Sequence, residues 1–315
     1  MLNRRHIRVK VMQSIYAMGC RSQTSLPQEE KFVKESIKES YSLYLLLLDL
    51  MVEVHAFAKE YQEKHAKKIL ATETDKNPNT KFIKNQALVK MASNALLQDE
   101  LGKRKLKNWR LDDEYVAIIF NALVESDCYE AYMESGETTF KEDRAFVINF
   151  YTEVLAPNEK LYDYLEDKRL TWLDDLPMVN MAVLKRIQKM KPSSPESSLL
   201  PELFKNDDDR TFGPELLSKT VANDEFLTEE ITKNTPNWDK ERIADVDMVL
   251  IKMALCEFLK FPTIPVKATI NEYLEIAKEY STPKSSIFIN GVLDKLVKEY
   301  SKNNTLKKTG RGLQE

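Results

Sequence analysis

The chain has 315 residues, 43% apolar and 31% charged, with 7 glycines and a formal net charge of −3. So little glycine disfavours all-β folds and phosphate-cradling loops, which need it for turns and close backbone approach. The near-balanced charge excludes a chain that is basic throughout, so any nucleic-acid site has to be local.

Apolar spacing predicts helix almost everywhere, an all-α chain of helical bundles. Residues 3–19 read as one helix, with Ile7, Val11, Ile15 and Met18 on one strip, Val9, Met12 and Tyr16 on another, and Gly19 as the stop. Residues 1–27 carry Arg4, Arg5, Arg8, Lys10 and Arg21 and no acid, a local charge of +5. At about 100° per residue, Arg4, Arg5 and Arg8 fall within one arc. Two readings stand: a phosphate grip through planar guanidinium forks, or a solvated end. A long helix follows over 28–70, then a turn at Asn77-Pro78-Asn79. Helices are expected over 82–100, 112–134, 138–155, 158–168 and 178–190.

Residues 191–207, with Pro192, Pro195, Pro201 and several serines, read as a mobile linker running into Asp207-Asp208-Asp209. Helices resume over 212–222, 224–234, 241–260, 266–280 and 286–300, and 301–315 reads as a disordered tail. A faint repeat crosses the linker: Asp143-Arg144-Ala145-Phe146 matches Asp209-Arg210-Thr211-Phe212 66 residues later, with Leu161 on Leu227 and Trp172 on Trp238. A duplicated unit at 139–190 and chance likeness between amphipathic helices both account for it.

In the last helix, Ile289, Val292, Leu293, Leu296, Val297 and Tyr300 form a core stripe, behind an N-cap offered by Ser285-Ser286. Gly291 lies off that stripe and suggests a close approach to the backbone. Phe288, beside Asn290 in the first turn, suits either stacking on an unpaired base or packing on a neighbouring helix.

Cys20, Cys128 and Cys256 are far apart and form no CxxC pair, which excludes zinc-ribbon and thioredoxin chemistry. Their odd number, with no signal peptide, leads us to expect the cytoplasm. The longest apolar run, Leu43 to Val54, is broken by Asp49 and Glu53 and falls short of the roughly 18–20 residues of a membrane span. No Ser/His/Asp set or HExxH is present, and His55 and His65 read as surface residues. Neither catalysis, nor a metal, nor a cofactor is expected.

Arg4-Arg5-His6-Ile7-Arg8, followed by Gln13-Ser14-Ile15-Tyr16, is similar to the opening helix of the NusB family of antitermination factors. A longer likeness runs from Glu241-Arg242-Ile243 through Val246-Asp247-Met248-Val249-Leu250 and Ala254-Leu255-Cys256-Glu257-Phe258. It continues through Ile264-Pro265-Val266-Lys267-Ala268-Thr269-Ile270-Asn271-Glu272 and ends in Phe288-Ile289-Asn290-Gly291-Val292-Leu293-Asp294. The Pro-Val-Lys-x-x-Ile-Asn-Glu and Phe-Ile-Asn-Gly-Val-Leu-Asp blocks, in this order and spacing, are specific together. The resemblance covers 1–20 and 208–300 and leaves 21–190 as a helical insertion.

The resemblance implies a non-enzymatic all-helical protein. It would bind boxA-type single-stranded RNA together with NusE, a ribosomal small-subunit protein. It would join the RNA polymerase antitermination complex, notably on ribosomal RNA operons. By matching position it makes Arg4, Arg5 and Arg8 RNA-backbone residues, Phe288 and Asn290 further RNA residues, and Glu257 a residue of the NusE face. On this reading, removing the three arginines weakens RNA binding and leaves melting almost unchanged. His6 stands where another arginine is common, which implies weaker RNA affinity. NusB-like domains also front RNA cytosine methyltransferases, but seven glycines and no GxGxxG loop argue against that enzyme. The alternative from another class is a helical protein-interaction scaffold without RNA binding.

Overall fold

The computed structural model describes residues 1–20, 25–67, 77–136, 138–235 and 243–313. Among the described residues there are fifteen α-helices and no strand, an all-α fold. The chain divides into two compact units, one of Met1 with residues 38–203 and one of residues 2–37 with 204–315. Helix α1 (Arg4–Cys20) belongs to the second unit, and α2 (Leu26–Ala66) contributes its first turns to the second unit and the rest to the first.

The 38–203 unit is built on α2. Leu43 through Leu48 are all buried, and so are the polar Ser42 and Asp49 on either side. By length and apolarity α2 could cross a membrane, but most of its apolar stretch is buried inside the fold, as in a core helix. Around it lie α3 (Gln86–Ala92), α4 (Ala95–Arg104), α5 (Asn108–Leu111), α6 (Glu114–Val124), α7 (Asp127–Glu134), α8 (Phe140–Asn149, continued by a π-type turn over Phe150–Leu155), α9 (Glu159–Lys168) and α10 (Thr171–Lys189). Trp109 and Trp172 lock onto α2, their indole N–H groups donating to Leu46 O at 2.8 Å and Glu39 O at 3.0 Å.

Where single helices were expected over 82–100 and 112–134, the chain breaks twice. The Asn94 side chain accepts from Leu97 N and Ser126 Oγ from Tyr129 N, so each starts a new helix. A cap of this kind contributes about 1 kcal/mol and competes with continuing the previous turn. Conversely α10 starts at Thr171 and carries Pro177 inside it. Burial of Trp172, and the Ser40 Oγ to Asp175 bond of 2.8 Å, hold the turns before the proline in place.

Residues 191–203, expected as a mobile linker, are tied to the 38–203 unit. Lys90 Nζ donates to Pro192 O, Asn94 Nδ2 to Glu196 O and Tyr44 Oη to Leu199 O, with Leu199 buried. The Asp207-Asp208-Asp209 run is the first turn of α11 (Asp207–Ala222), capped by Asn206, where acids complement the helix dipole.

The second unit adds α12 (Asp224–Asn234), α13 (Asp245–Lys260), α14 (Val266–Tyr280) and α15 (Ser285–Lys302). Helices α13, α14 and α15 pack mutually, and α1 lies on α11 and α13 and touches α14. The α1–α11 approach depends on Gly213, where an added Cβ would sit 2.8 Å from Ile7 Cγ2 and 3.2 Å from Ile37 Cδ1. Ser285 does not cap α15; its hydroxyl donates to Asp247 Oδ2 at 2.7 Å. Of the residues matched across the repeat, Asp143 and Asp209, Phe146 and Phe212, and Leu161 and Leu227 are all buried. Trp238 lies outside the described residues. The segment 303–313 is laid against the 260–264 turn instead of fraying.

Asp49 is buried on α2, and burial, then Glu53, push its carboxyl up to about 7, while Arg110 opposes them. The folded state therefore holds a proton that the unfolded chain releases near pH 4, so this residue's contribution to stability falls as pH rises from 4 to 7. Asp49→Asn should flatten that dependence and stabilise the protein at pH 7.5 by on the order of 2 kcal/mol, read by urea unfolding at several pH values.

Candidate functional site

Helix α1 is apolar on more than one side. Ile7, Val9, Val11, Met12 and Ile15 are all buried, and so are the polar Arg8, Lys10 and Ser14 that lie between them. A helix buried nearly all round must find partners for its charges. Lys10 Nζ donates to Ser36 Oγ at 2.9 Å.

Arg8 has a 3% exposed side chain and meets Glu257, on α13, at 0%. Arg8 Nε donates to Glu257 Oε1 at 2.6 Å and Nη2 to Oε2 at 2.9 Å, a bidentate fork. Tyr273 Oη adds a bond to Oε1 at 2.7 Å and Thr269 Oγ1 one to Oε2 at 3.1 Å, both from α14. The carboxylate thus accepts four hydrogen bonds, its full capacity. The Arg8 guanidinium lies 5.1 Å from the Phe212 ring centre and 5.6 Å from that of Tyr273. Burial alone would lower its pKa, but the Glu257 charge and fork outweigh burial and raise it. Burial, then Glu257, likewise raises the Tyr273 phenol well above its ordinary range.

Two site expectations change on this geometry. Arg8 is an interior residue whose fork is filled by Glu257, so it has no face for an RNA backbone. Glu257 is wholly enclosed and does not lie on a partner surface. The arc shared by Arg4, Arg5 and Arg8 is real, but periodicity on a helix buried all round does not tell which member points inward.

Arg4 and Arg5 remain near the surface, with side chains 25% and 35% exposed. Arg4 Nε donates to Asp209 Oδ1 at 2.7 Å, and its guanidinium lies 4.9 Å from the Phe212 ring centre. Arg5 forms a fork on Glu272, at 2.9 and 3.0 Å, and this hydrogen bonding raises its pKa against a smaller opposing effect of burial. Burial, then the charges of Lys10 and Arg5, lower His6 to about 4, so it adds no positive charge here at neutral pH.

Phe288 and Asn290 are half-buried on α15, and Asn290 Nδ2 lies 3.4 Å from Asp294 Oδ2. Around Gly291 an added Cβ would meet nothing within 4 Å, so no close approach explains the glycine. Helix α1 packs chiefly on α11 and α13 and touches α14, whereas α15 packs on α14, α13 and α12. Asp209, Glu272, Thr269 and Tyr273 were not anticipated, although Thr269 and Tyr273 are one helical turn apart and face the same carboxylate. Among the described residues no three His, Cys, Asp or Glu side chains are grouped to hold a metal ion.

The NusB family model matches residues 181–298, a stretch that holds Asp209, Glu257, Thr269, Glu272 and Tyr273. This part of the chain is similar to the NusB family. It is 43% identical over 104 residues to the transcription antitermination protein NusB of Salinibacter ruber, which is 33% of this chain and 65% of that protein. It is 40% identical over 98 residues to that of Chloroherpeton thalassium (31% of this chain, 46% of that protein). For Natranaerobius thermophilus the figures are 38% over 87 residues, 28% and 63%. The chain thus spans less than two thirds of each of these relatives. No solved structure matches it. Helix α1 lies outside the NusB match and is joined to it by Arg8.

Arg8→Ala leaves the Glu257 charge enclosed without its fork and should cost about 3–5 kcal/mol in chemical unfolding. Arg8→Met combined with Glu257→Leu should recover most of that loss, because no buried charge is then stranded. A melting temperature unchanged in Arg8→Ala would contradict the structural role.

Proposed function

We propose that the protein is a NusB-type antitermination factor that binds boxA-type single-stranded RNA with NusE and acts on ribosomal RNA transcription. In this reading it works in the cytoplasm as part of an RNA polymerase antitermination complex. The observation that carries the proposal is the docking of α1 onto the NusB-matched helices, which leaves Arg4 and Arg5 side by side at the surface. Both are ion-paired; the Arg5–Glu272 pair is partly exposed on both sides, and pairs of this kind contribute only about 0–1 kcal/mol. Exchanging Glu272 for an RNA phosphate therefore costs little. Phe288 supplies an aromatic face and Asn290 an amide for an unpaired base. Arg8 and Glu257 act by positioning α1. NusE is then bound by another surface than Glu257.

Fluorescence anisotropy with a boxA-type RNA, with and without NusE, tests this. The wild-type chain should bind in a salt-dependent manner and more tightly with NusE. Arg4→Ala with Arg5→Ala should reduce the log–log salt slope by about 1.4, at about 0.7 per phosphate contact on single strands, and leave the melting temperature nearly unchanged. Phe288→Ala should cost about 1–3 kcal/mol of binding if the ring stacks on a base. No binding under either condition would favour a protein-interaction scaffold instead.

A further inference from the structure

The segment 303–313, read from sequence as a tail, is a docked strap. Lys308 Nζ donates to the carbonyls of Phe261, at 3.0 Å, and Glu257, at 3.2 Å, at the C-terminal end of α13. Burial pulls this ammonium down to about 8 against the raising effect of Glu257. Thr309 N donates to Pro262 O at 3.0 Å. Gly312 is buried, and a Cβ there would fall 1.9 Å from Pro262 O, so only glycine allows this fit. A frayed end has no need of so close a contact.

The strap has one sign of charge. Residues 303–313 carry Lys307, Lys308 and Arg311 and no acid, and the turn they cover, 260–264, carries Lys260 and no acid, with Lys267 following in the first turn of α14. Lys260, Lys267, Lys307 and Arg311 are exposed, and none of the four forms an ion pair among the described residues. Like charges gathered by docking a chain segment raise the free energy of the fold slightly unless an anion neutralises them. Beneath the strap, a buried aromatic pair leads through the interior toward Arg4. The ring of Phe212, under Arg4, meets Phe261 edge-on at 5.5 Å between ring centres, and Phe261 O receives Lys308. Lys219 Nζ stands 4.4 Å from the Phe261 ring centre and is ion-paired with Glu215 at 2.8 Å.

We propose that the strap and the α13–α14 turn beneath it form a second grip on the sugar–phosphate backbone of a single-stranded RNA, in addition to Arg4 and Arg5. The inference rests on the RNA-binding reading above and extends it to residues with no part in that reading. Lysines and arginines without fixed planar partners read no sequence, so this grip adds affinity and salt dependence but no base preference.

The test uses the full chain, a boxA-type RNA and an RNA of the same length and scrambled sequence, titrated by anisotropy from 50 to 300 mM salt. Replacing Lys260, Lys267, Lys307 and Arg311 together by Gln should weaken both RNAs at least about tenfold and lower the salt slope by about 2.8, four contacts at about 0.7 each. Gly312→Val keeps every charge and prevents docking, and it should weaken both RNAs in the same direction, with circular dichroism confirming an intact helical fold. Wild-type affinity and slope in the quadruple variant would overturn the strap proposal and leave the RNA reading standing. Wild-type affinity in Gly312→Val would overturn the claim that docking places the charges. If the unaltered chain binds neither RNA, the RNA reading fails and the strap proposal fails with it.

Discussion

A carboxylate with no access to solvent must have each of its oxygens satisfied from within, and this requirement organises the 2–37/204–315 unit around Glu257. Four donors from two other helices converge on it: the Arg8 fork from α1, and the hydroxyls of Thr269 and Tyr273 from α14. Replacing such a pair by apolar groups is often neutral, whereas breaking it is costly. The pair is therefore better understood as fixing one arrangement of helices than as a large source of stability. Its consequence is that α1, outside the segment matched to the NusB family, has a single place on that segment.

From that placement the surface follows. Arg4 precedes Arg8 by one helical turn, and its guanidinium also lies near the Phe212 ring, where Asp209 meets it. Arg5 comes to the rim beside Glu272, on the same α14 that supplies Thr269 and Tyr273. At the far end of α13, Lys308 closes the helix with its ammonium and holds the strap in place. Glu257 thus holds α1 on its side-chain oxygens and the strap on its backbone carbonyl.

Much of the fold was legible in the residues. The α15 stripe from Ile289 to Tyr300 is buried as its spacing implies, Val297 partly so, and the two sequence blocks from Pro265 and Phe288 lie within the matched NusB segment. What was not legible depended on side-chain chemistry that periodicity does not report. Asn94 and Ser126 cut helices that apolar spacing would have continued. Three consecutive aspartates looked like a solvated linker and are a helix start. The segment 301–315 looked like a disordered tail, and Gly312 within it marks a close contact. The arginine trio shows the same limit: apolar residues at 7, 9, 11, 12 and 15 leave α1 no broad polar face, and that pattern, weighed first, would have sent one arginine inside.

The account stands on Glu257 holding α1 in place, and hydrogen exchange of the full chain with Glu257→Gln measures this most directly. The variant should lose amide protection along α1 while α2 between residues 43 and 54 keeps its own. Full protection of α1 in that variant would mean that something else holds the helix, and that the buried pair is not what sets the surface.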